Sequence, residues 1–159
     1  MNKDVHNTFW DLRFDLIASV GGISLISKLI LELNGHPQNL EKDFVCEMKR
    51  KYSTSDGQPQ TLPDEITDWF KRHSSTFESW RVKLLDISLS DSKSLTADQL
   101  CQRITDVFEG IEIVMSEAKK LPKKTSLEGE ENALFDALMK GLQTTYQRYN
   151  HLKDSLRQS

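Results

Sequence analysis

Apolar side chains recur at steps of three and four residues along most of this chain, which is the pattern of helices that bury one face. The first such segment, about Val5 to Leu33, carries two apolar stripes, so packing neighbours are expected on two of its sides. One stripe passes through Gly21-Gly22, and each glycine costs a helix about 1 kcal/mol relative to alanine. We therefore expect this helix to be kinked or broken at Gly21-Gly22, or another backbone to approach closely there. Because the apolar spacing continues across the pair, a kink or a close contact is favoured over a full break.

Four further helices are predicted downstream of the first. Two of them begin with a threonine followed by acidic or glutamine residues, which is a helix-capping pattern. Polar stretches at 53–60, 90–94 and 123–130 separate the helices and are predicted to be loops. The expected helical spans are about Asn39 to Tyr52, Thr61 to about Ser88, Thr96 to Leu121 and about Glu130 to Leu156.

The fold class follows from what this pattern contains and what it lacks. No segment alternates apolar and polar residues as a half-buried strand does. The chain has 159 residues, of which 37% are hydrophobic and 28% charged, a composition typical of a globular domain with a core. The sequence therefore predicts an all-α fold: a single domain over residues 1–159, built as a bundle of four to five mostly antiparallel helices.

The cellular environment is predicted from the N-terminal segment and the cysteines. The uncharged run at 16–27 is shorter than the ~20 apolar residues of a transmembrane helix, and its extension takes in Lys28 and Glu32. The first ten residues lack the apolar region of a signal peptide. Cys46 and Cys101 form no C-x-x-C pair, so reduced thiols are expected. We predict a cytoplasmic protein that does not associate with a membrane.

Signatures of catalysis are scarce. The four histidines show neither the i, i+4 spacing nor the Glu-x-x-His pattern of a helical metal site, so no metal is expected. The chain contains no nucleophile elbow and no glycine-rich phosphate loop, so neither an enzyme nor a cofactor is favoured.

His73 carries the one catalytic or signalling hypothesis. It lies on the apolar stripe of the third predicted helix, where an exposed histidine would suit phosphoryl transfer. However, Thr76 and Phe77 stand where histidine phosphotransfer domains place a lysine and a glycine. A partly buried, hydrogen-bonded histidine is the simpler interpretation, and a signalling or enzymatic bundle using His73 is the third hypothesis.

Two tryptophans are candidates for contacts with a partner protein. Trp80 falls on a predicted core stripe, whereas Trp10 and Trp69 lie beside such stripes. If they are exposed they suit an interface, because tryptophan is enriched at binding hot spots. The simpler interpretation is that all three tryptophans are buried in the core, since a bundle of this size can accommodate them. Several helices also have wider apolar faces than one packing seam requires. The first hypothesis is therefore a non-catalytic interaction module, or a small subunit of a larger complex, that binds another protein or itself.

Clusters of basic residues support the second hypothesis, a helical subunit that contacts a nucleic-acid backbone inside a multi-protein assembly. The formal net charge is −3, so the chain as a whole is not basic, but a local patch would bind phosphates without sequence preference. Several of the cations also suit helix C-termini, where they complement the helix dipole. The candidates are Lys49, Arg50, Lys51, Lys71, Arg72, Lys119, Lys120, Lys123, Lys124, Arg148 and Lys153.

Overall fold

The computed structural model describes residues 2–33, 35–52, 64–87, 89–120 and 130–158. All regular structure within these ranges is α-helical, which confirms the predicted fold class. The helices are α1 (Asn2–Leu33), α2 (Lys42–Tyr52), α3 (Asp64–Asp86), α4 (Leu89–Ser94), α5 (Ala97–Val107), α6 (Ile111–Lys120) and α7 (Glu130–Gln158).

The two longest helices, α1 and α7, pack against each other in opposite directions. Near the middle of α1, Arg148 Nη1 donates a hydrogen bond of 2.7 Å to the Asp15 carbonyl oxygen. Ile23, two turns after Asp15 on α1, contacts Gly141, which lies two turns before Arg148 on α7. Since contacts move forward along one helix as they move backward along the other, the pair is antiparallel.

The same reasoning fixes the directions of the helices on the α3 side of the bundle. Gly21 and Ser24 of α1 meet Arg81 and Glu78 of α3, respectively, so these two helices run in opposite directions. The α3 helix is likewise antiparallel to the α5–α6 segment. The ring centroid of Trp80 lies 5.5 Å from that of Phe108, and seven residues earlier on α3 His73 faces Glu117 of α6.

The fourth side of the bundle is formed by the α5–α6 segment and α7. The Cys101 thiol lies 3.5 Å from the Lys153 carbonyl oxygen, and Tyr146 OH donates to Glu112 at 3.0 Å, which again is antiparallel order. The helices α1, α3, α5–α6 and α7 therefore form a four-sided antiparallel bundle. The short helix α2 packs on α1 and α7, and α4 packs on α1.

The hydrophobic core occupies the axis of this bundle, where the apolar stripes meet. Within the described residues, the stripes predicted for α3, α5–α6 and α7, and the α1 stripe that contains Phe9 and Leu16, are largely buried and belong to one cluster. Its fully buried members include Phe9, Leu16, Ile23, Phe70, Phe77, Leu84, Leu100, Ile104, Leu138, Leu142, Leu152 and Leu156. The second stripe predicted on α1 is not packed as expected, because Ala18 and Leu25 are exposed and only Leu29 is buried.

The helix predicted over Thr96 to Leu121 begins as expected. Thr96 and Gln99 form a capping box in which each side chain accepts a hydrogen bond from the other residue's backbone N–H. The helix is, however, interrupted at residues 108–110. Gly110 adopts φ +85°, a left-handed conformation open mainly to glycine, and the Ile111 N–H bonds to the Phe108 carbonyl oxygen.

Two other predicted boundaries are wrong. The stretch at 90–94, predicted as a loop, belongs to α4, because the Leu95 N–H reaches the Asp91 carbonyl oxygen in a helical turn. The second helix begins at Lys42 rather than Asn39. Asn39 has φ +59°, and the Glu41 carboxylate caps the helix by accepting from the N–H groups of Asp43 and Phe44. The predicted loops at 53–60 and 123–129 and the start at 61–63 lie outside the described residues.

The glycine pair does not break α1, which is continuous from Asn2 to Leu33, so the prediction of a break at Gly21-Gly22 is wrong. The kink stays a prediction. Close packing between helices occurs instead at Gly141, where a Cβ would lie 2.6 Å from Ile23 Cγ2. A Cβ on Gly22 would meet nothing within 4 Å, and one on Gly21 would touch only the Arg81 side chain.

The segment Val5–Leu33 is long and apolar enough to cross a membrane, judged by length and composition. Half of its most apolar 18-residue window is buried inside the structure. The central helix of a water-soluble bundle and a signal sequence meet the same criterion, so the criterion does not separate these three roles.

Candidate functional site

Large apolar side chains are exposed on the side of the bundle formed by α1 and α3. On α1, Phe14, Ala18 and Leu25 share one helical face, because they are separated by four and seven residues. On α3, Val82 and Leu85 are exposed and three residues apart. We call these five residues the α1–α3 surface. The exposed fraction of Phe14 is 60%, which is unusual for a phenylalanine in a folded domain.

The register of the two helices brings these residues level with each other. A Cβ on Gly21 would lie 3.9 Å from Arg81 Cδ, which places Arg81 against the middle of α1. Because the helices are antiparallel, Leu85 lies one turn beyond Arg81, level with the turn of α1 that precedes Gly21 and contains Ala18. Exposed apolar residues of the two helices therefore lie at the same height along the bundle.

An ionic network joins α1 to α3 beside this surface. Glu78 accepts a 2.7 Å hydrogen bond from Arg81 Nη2 and a 3.0 Å hydrogen bond from Ser24 Oγ. Lys28 Nζ lies 3.6 Å from the same carboxylate. The Arg81 hydrogen bond, supported by Ser24 and the positive charge of Lys28, lowers the pKa of Glu78 to about 2, despite the opposing effect of burial. The network therefore stabilises the ionised carboxylate and the α1–α3 packing that places it there.

This network predicts a specific acid sensitivity. The pKa of Glu78 is lower in the folded chain than its ordinary value of 4.5, so its contribution to stability is complete above about pH 4.5 and is lost as the pH falls towards 2. We expect Glu78→Gln to lower the free energy of unfolding by about 1 kcal/mol at pH 7, a modest value because the carboxylate is partly exposed to solvent. The difference from wild type, measured by urea unfolding, will shrink between pH 5 and 3. A difference that stays constant over that interval contradicts the assignment.

Arg13 is the most unusual charged residue of the site. It lies on α1 with 8% of its surface exposed, and its Nε atom is buried without a hydrogen-bond partner. Its guanidinium carbon lies 4.6 Å from the Trp10 ring centroid and 5.9 Å from that of Phe14, so the cation is stacked against the exposed aromatic end of the α1–α3 surface. Burial lowers the pKa of Arg13.

The two tryptophan candidates have different environments. Trp69 has 2% of its surface exposed and packs edge-on against Phe70, so its assignment to an exposed interface is wrong. It lies on the buried side of α3, where its ring also contacts Phe77. Trp10 is half-buried and stacks with His6 on one side, while Arg13 covers its ring. Trp10 therefore belongs to the edge of the α1–α3 surface.

His73 lies in an aromatic environment between α3 and α6. Its ring centroid is 4.7 Å from that of Trp69, and Nε2 lies 3.5 Å from Glu117 Oε2, longer than a good hydrogen bond. Burial lowers the pKa of His73, although the Glu117 carboxylate opposes this effect. Both ring nitrogens are buried, and neither donates or accepts a hydrogen bond among the described residues. A largely buried neutral imidazole suits packing better than phosphoryl transfer, which needs an accessible nitrogen.

The basic candidates whose side chains the structure describes do not all lie in one patch. Arg148 and Lys153 are engaged within the bundle, Arg148 with the Asp15 carbonyl and Lys153 with the Tyr149 hydroxyl and ring. The start of α3 and the end of α6 lie at the same end of the bundle, because His73 of α3 contacts Glu117 of α6. Four of the candidates are exposed at that end: Lys71, Arg72, Lys119 and Lys120. Arg50 is exposed on α2. The side chains of Lys49 and Lys51, and all of Lys123 and Lys124, lie outside the described part of the chain.

Lys71 also lines an open groove beside the ionic network. The groove measures about 360 Å³ and lies between the last turns of α1 and the first half of α3, with Lys28, Gln38, Ser74 and Glu78 among its lining residues. Hydroxyl, amide and ammonium groups line its rim. It is open to solvent on one side, unlike a site that excludes water for catalysis.

Reactive groups are scarce in the part of the chain that the structure describes. No three His, Cys, Asp or Glu side chains among these residues are arranged to hold a metal ion. Both thiols are free, Cys46 at the surface and Cys101 in the core. Burial raises the pKa of the Cys101 thiol, which disfavours the reactive thiolate.

No protein-family model, curated protein or solved structure matches this chain. The candidate site therefore rests on its own geometry. Its central residues, Arg13, Phe14 and Leu25, were not selected from the sequence. The available signal was that Phe14 and Leu25 lie out of phase with the stripe that contains Phe9 and Leu16, while a charged residue, Arg13, stands four positions after Phe9 on the buried side.

Proposed function

We propose that this chain is a single-domain, cytoplasmic, non-catalytic interaction module that serves as a small subunit of a larger protein complex. The observation that carries the proposal is the α1–α3 surface. Isolated exposed apolar residues are common on soluble proteins, but an apolar face formed by neighbouring helices is typical of an interface. The scarcity of reactive groups supports a binding role over a catalytic one.

The surface has the composition of a binding hot spot. An exposed phenylalanine, a half-buried tryptophan and a stacked arginine meet at one end, and aromatic and arginine side chains are the types enriched at such sites. Leu25, Val82 and Leu85 extend the apolar area from that end. The ionic network around Glu78 holds α1 and α3 together, so the surface is preorganised before a partner arrives.

The proposal predicts that a charge placed on the α1–α3 surface will remove the partner and leave the fold intact. Leu25→Glu should weaken binding at least about tenfold, because an interface would bury the new carboxylate without a counterion. Ile113→Glu is the matched control, since Ile113 is 66% exposed but lies on α6. Both variants, tagged and expressed in the native cells, are compared with wild type by quantitative co-purification and by circular dichroism.

Three outcomes are decisive. Loss of a stoichiometric protein with Leu25→Glu alone supports the proposal. A wild-type chain that is monomeric and without a protein partner in native extracts contradicts it. Equal loss with Ile113→Glu would place the interface elsewhere on the molecule.

Contact with a nucleic-acid backbone is the second candidate function, favoured by the four exposed cations at one end of the bundle. It predicts salt-sensitive association that the double variant Lys71→Gln/Arg72→Gln weakens, while Leu25→Glu has no effect. A gel shift at low salt with single- and double-stranded nucleic acid, and nuclease treatment of the co-purified material, separate the two functions. Recovery of the partner after nuclease treatment favours the protein interface.

A further inference from the structure

We infer that His73 forms a proton-sensitive contact between α3 and α6, and that protonation of its imidazole releases the end of α6 from α3. This contact lies apart from the α1–α3 surface and acts without a partner protein. At its centre is a polar ring in an apolar place. His73 has 13% of its side chain exposed, and both of its ring nitrogens are buried without a hydrogen-bond partner among the described residues.

Aromatic rings of the same helix surround the imidazole. The ring centroid of Trp69, one turn before His73, lies 4.7 Å away, and that of Phe77, one turn after it, lies 6.4 Å away. The indole of Trp69 can only donate a hydrogen bond, so neither ring offers a strong acceptor. An imidazolium in this place would lose its hydration and would carry two N–H groups in need of acceptors. The site therefore favours the neutral imidazole.

The facing helix supplies one carboxylate. Glu117 Oε2 of α6 lies 3.5 Å from His73 Nε2, longer than the ~2.7–2.9 Å of a charge-assisted hydrogen bond. The Glu117 side chain is 34% exposed, so solvent weakens its attraction for a positive charge. Even with this contact made, the Nδ1–H group of an imidazolium would have no acceptor among the described residues. Glu117 therefore compensates for only part of the cost of protonation.

The other charged groups near the imidazole do not supply the missing stabilisation. On α3 itself, the Arg72 cation opposes protonation of its neighbour. On the α1 side, Lys28 is held in the ionic network, and on the α5 side the carboxylates of Asp106 and Glu109 line a separate groove. Burial is the largest influence, and it lowers the pKa of His73 from its ordinary value of 6.5.

The element that gives way on protonation is α6. It has ten residues, follows the left-handed turn at Gly110, and packs mainly on α7 among the described helices, so its contact with α3 is small. When its end leaves α3, His73 regains water and binds a proton more readily. Because the pKa of His73 is lower in the closed form, closure is fully favoured above about pH 6.5 and weakens as the pH falls below it.

The test is amide hydrogen exchange of the full chain at pH 7.5 and 5.5, corrected for the intrinsic effect of pH on exchange. We expect the α6 amides to open about three- to tenfold more at pH 5.5, since opening changes by up to tenfold per pH unit below the ordinary pKa of histidine. His73→Phe should abolish this increase. His151→Gln, which removes an exposed histidine from α7, should keep it. An increase that persists in His73→Phe, or none in wild type, overturns the inference.

A second measurement keeps His73 in place. Its imidazole C–H resonances, followed by NMR in wild type, should give a pKa below 6.5. Glu117→Gln should lower that pKa further and enlarge the pH-dependent opening of α6, because it removes the anion that opposes the effect of burial. Glu109→Gln, at an exposed carboxylate just before α6, is the matched control and should change neither.

Two results would contradict the assignment of the contact. A pKa above 6.5, with α6 held more tightly in acid, would mean that protonated His73 and Glu117 form a stabilising ion pair. An equal loss of protection in α1, α6 and α7 at pH 5.5 would mean that protonation weakens the whole bundle and does not release α6.

Discussion

Phe108→Ala will lower the free energy of unfolding by about 3–5 kcal/mol, the range measured when a buried phenylalanine is truncated in a core. Phe108 is fully buried although it lies in the turn between α5 and α6. Its ring contacts Trp80 of α3 at a centroid distance of 5.5 Å and Tyr149 of α7 at 5.1 Å. Truncation therefore removes the side chain that joins three sides of the bundle, and no neighbour in a helical bundle can close such a gap without moving backbone.

A matched control for the predicted loss of stability is available in the same chain. Phe14→Ala makes the same chemical change at a residue that is mostly exposed, and should alter stability by no more than about 0.5 kcal/mol. Phe108→Leu keeps most of the volume and should cost clearly less than alanine. Urea unfolding followed by circular dichroism measures all three. Equal effects of Phe108→Ala and Phe14→Ala would contradict the position of Phe108 in the core.

The helices were predictable from sequence because a buried face imposes its period on the residues. The stripe Leu138, Leu142, Thr145, Tyr149 and Leu152 identified α7, and the structure buries all five. The same rule concealed the interruption at 108–110. Val107 and Ile111 keep the helical spacing across the turn and both are buried, so the apolar pattern alone does not reveal that the backbone leaves the helical conformation at Gly110.

The candidate site was less predictable because exposure depends on where neighbouring helices lie. Trp69 and Phe14 are both large aromatic residues outside the predicted stripes, yet the structure buries the first and leaves the second exposed. The charge of Arg13 normally indicates a solvated position. Its burial follows from the rings of Trp10 and Phe14, which are three residues before it and one after it, folding over the guanidinium. Such a local arrangement leaves no repeating pattern in the sequence that would predict it.

Gly141→Ala will destabilise the fold by about 1–2 kcal/mol, although alanine is the better helix former by about 1 kcal/mol. The new Cβ would lie 2.6 Å from Ile23 Cγ2, far inside the ~3.5–4.0 Å contact distance of two carbons. Ile23 is fully buried, and its branched Cβ restricts side-chain rotation. The clash must therefore be relieved by separating α1 from α7, at an overpacking cost of about 1–3 kcal/mol that exceeds the gain in helix propensity.

Gly22→Ala is the control that isolates the clash. It changes an interior helical glycine to alanine where a Cβ meets nothing within 4 Å, so it should stabilise the chain by up to about 1 kcal/mol. The double variant Gly141→Ala/Ile23→Leu supplies the converse test, because leucine has no methyl group at the position of Cγ2. Its loss of stability should be smaller than the sum of the two single losses. If urea unfolding shows that Gly141→Ala and Gly22→Ala are equally stabilising, α1 and α7 do not pack at Gly141 as closely as the structure places them.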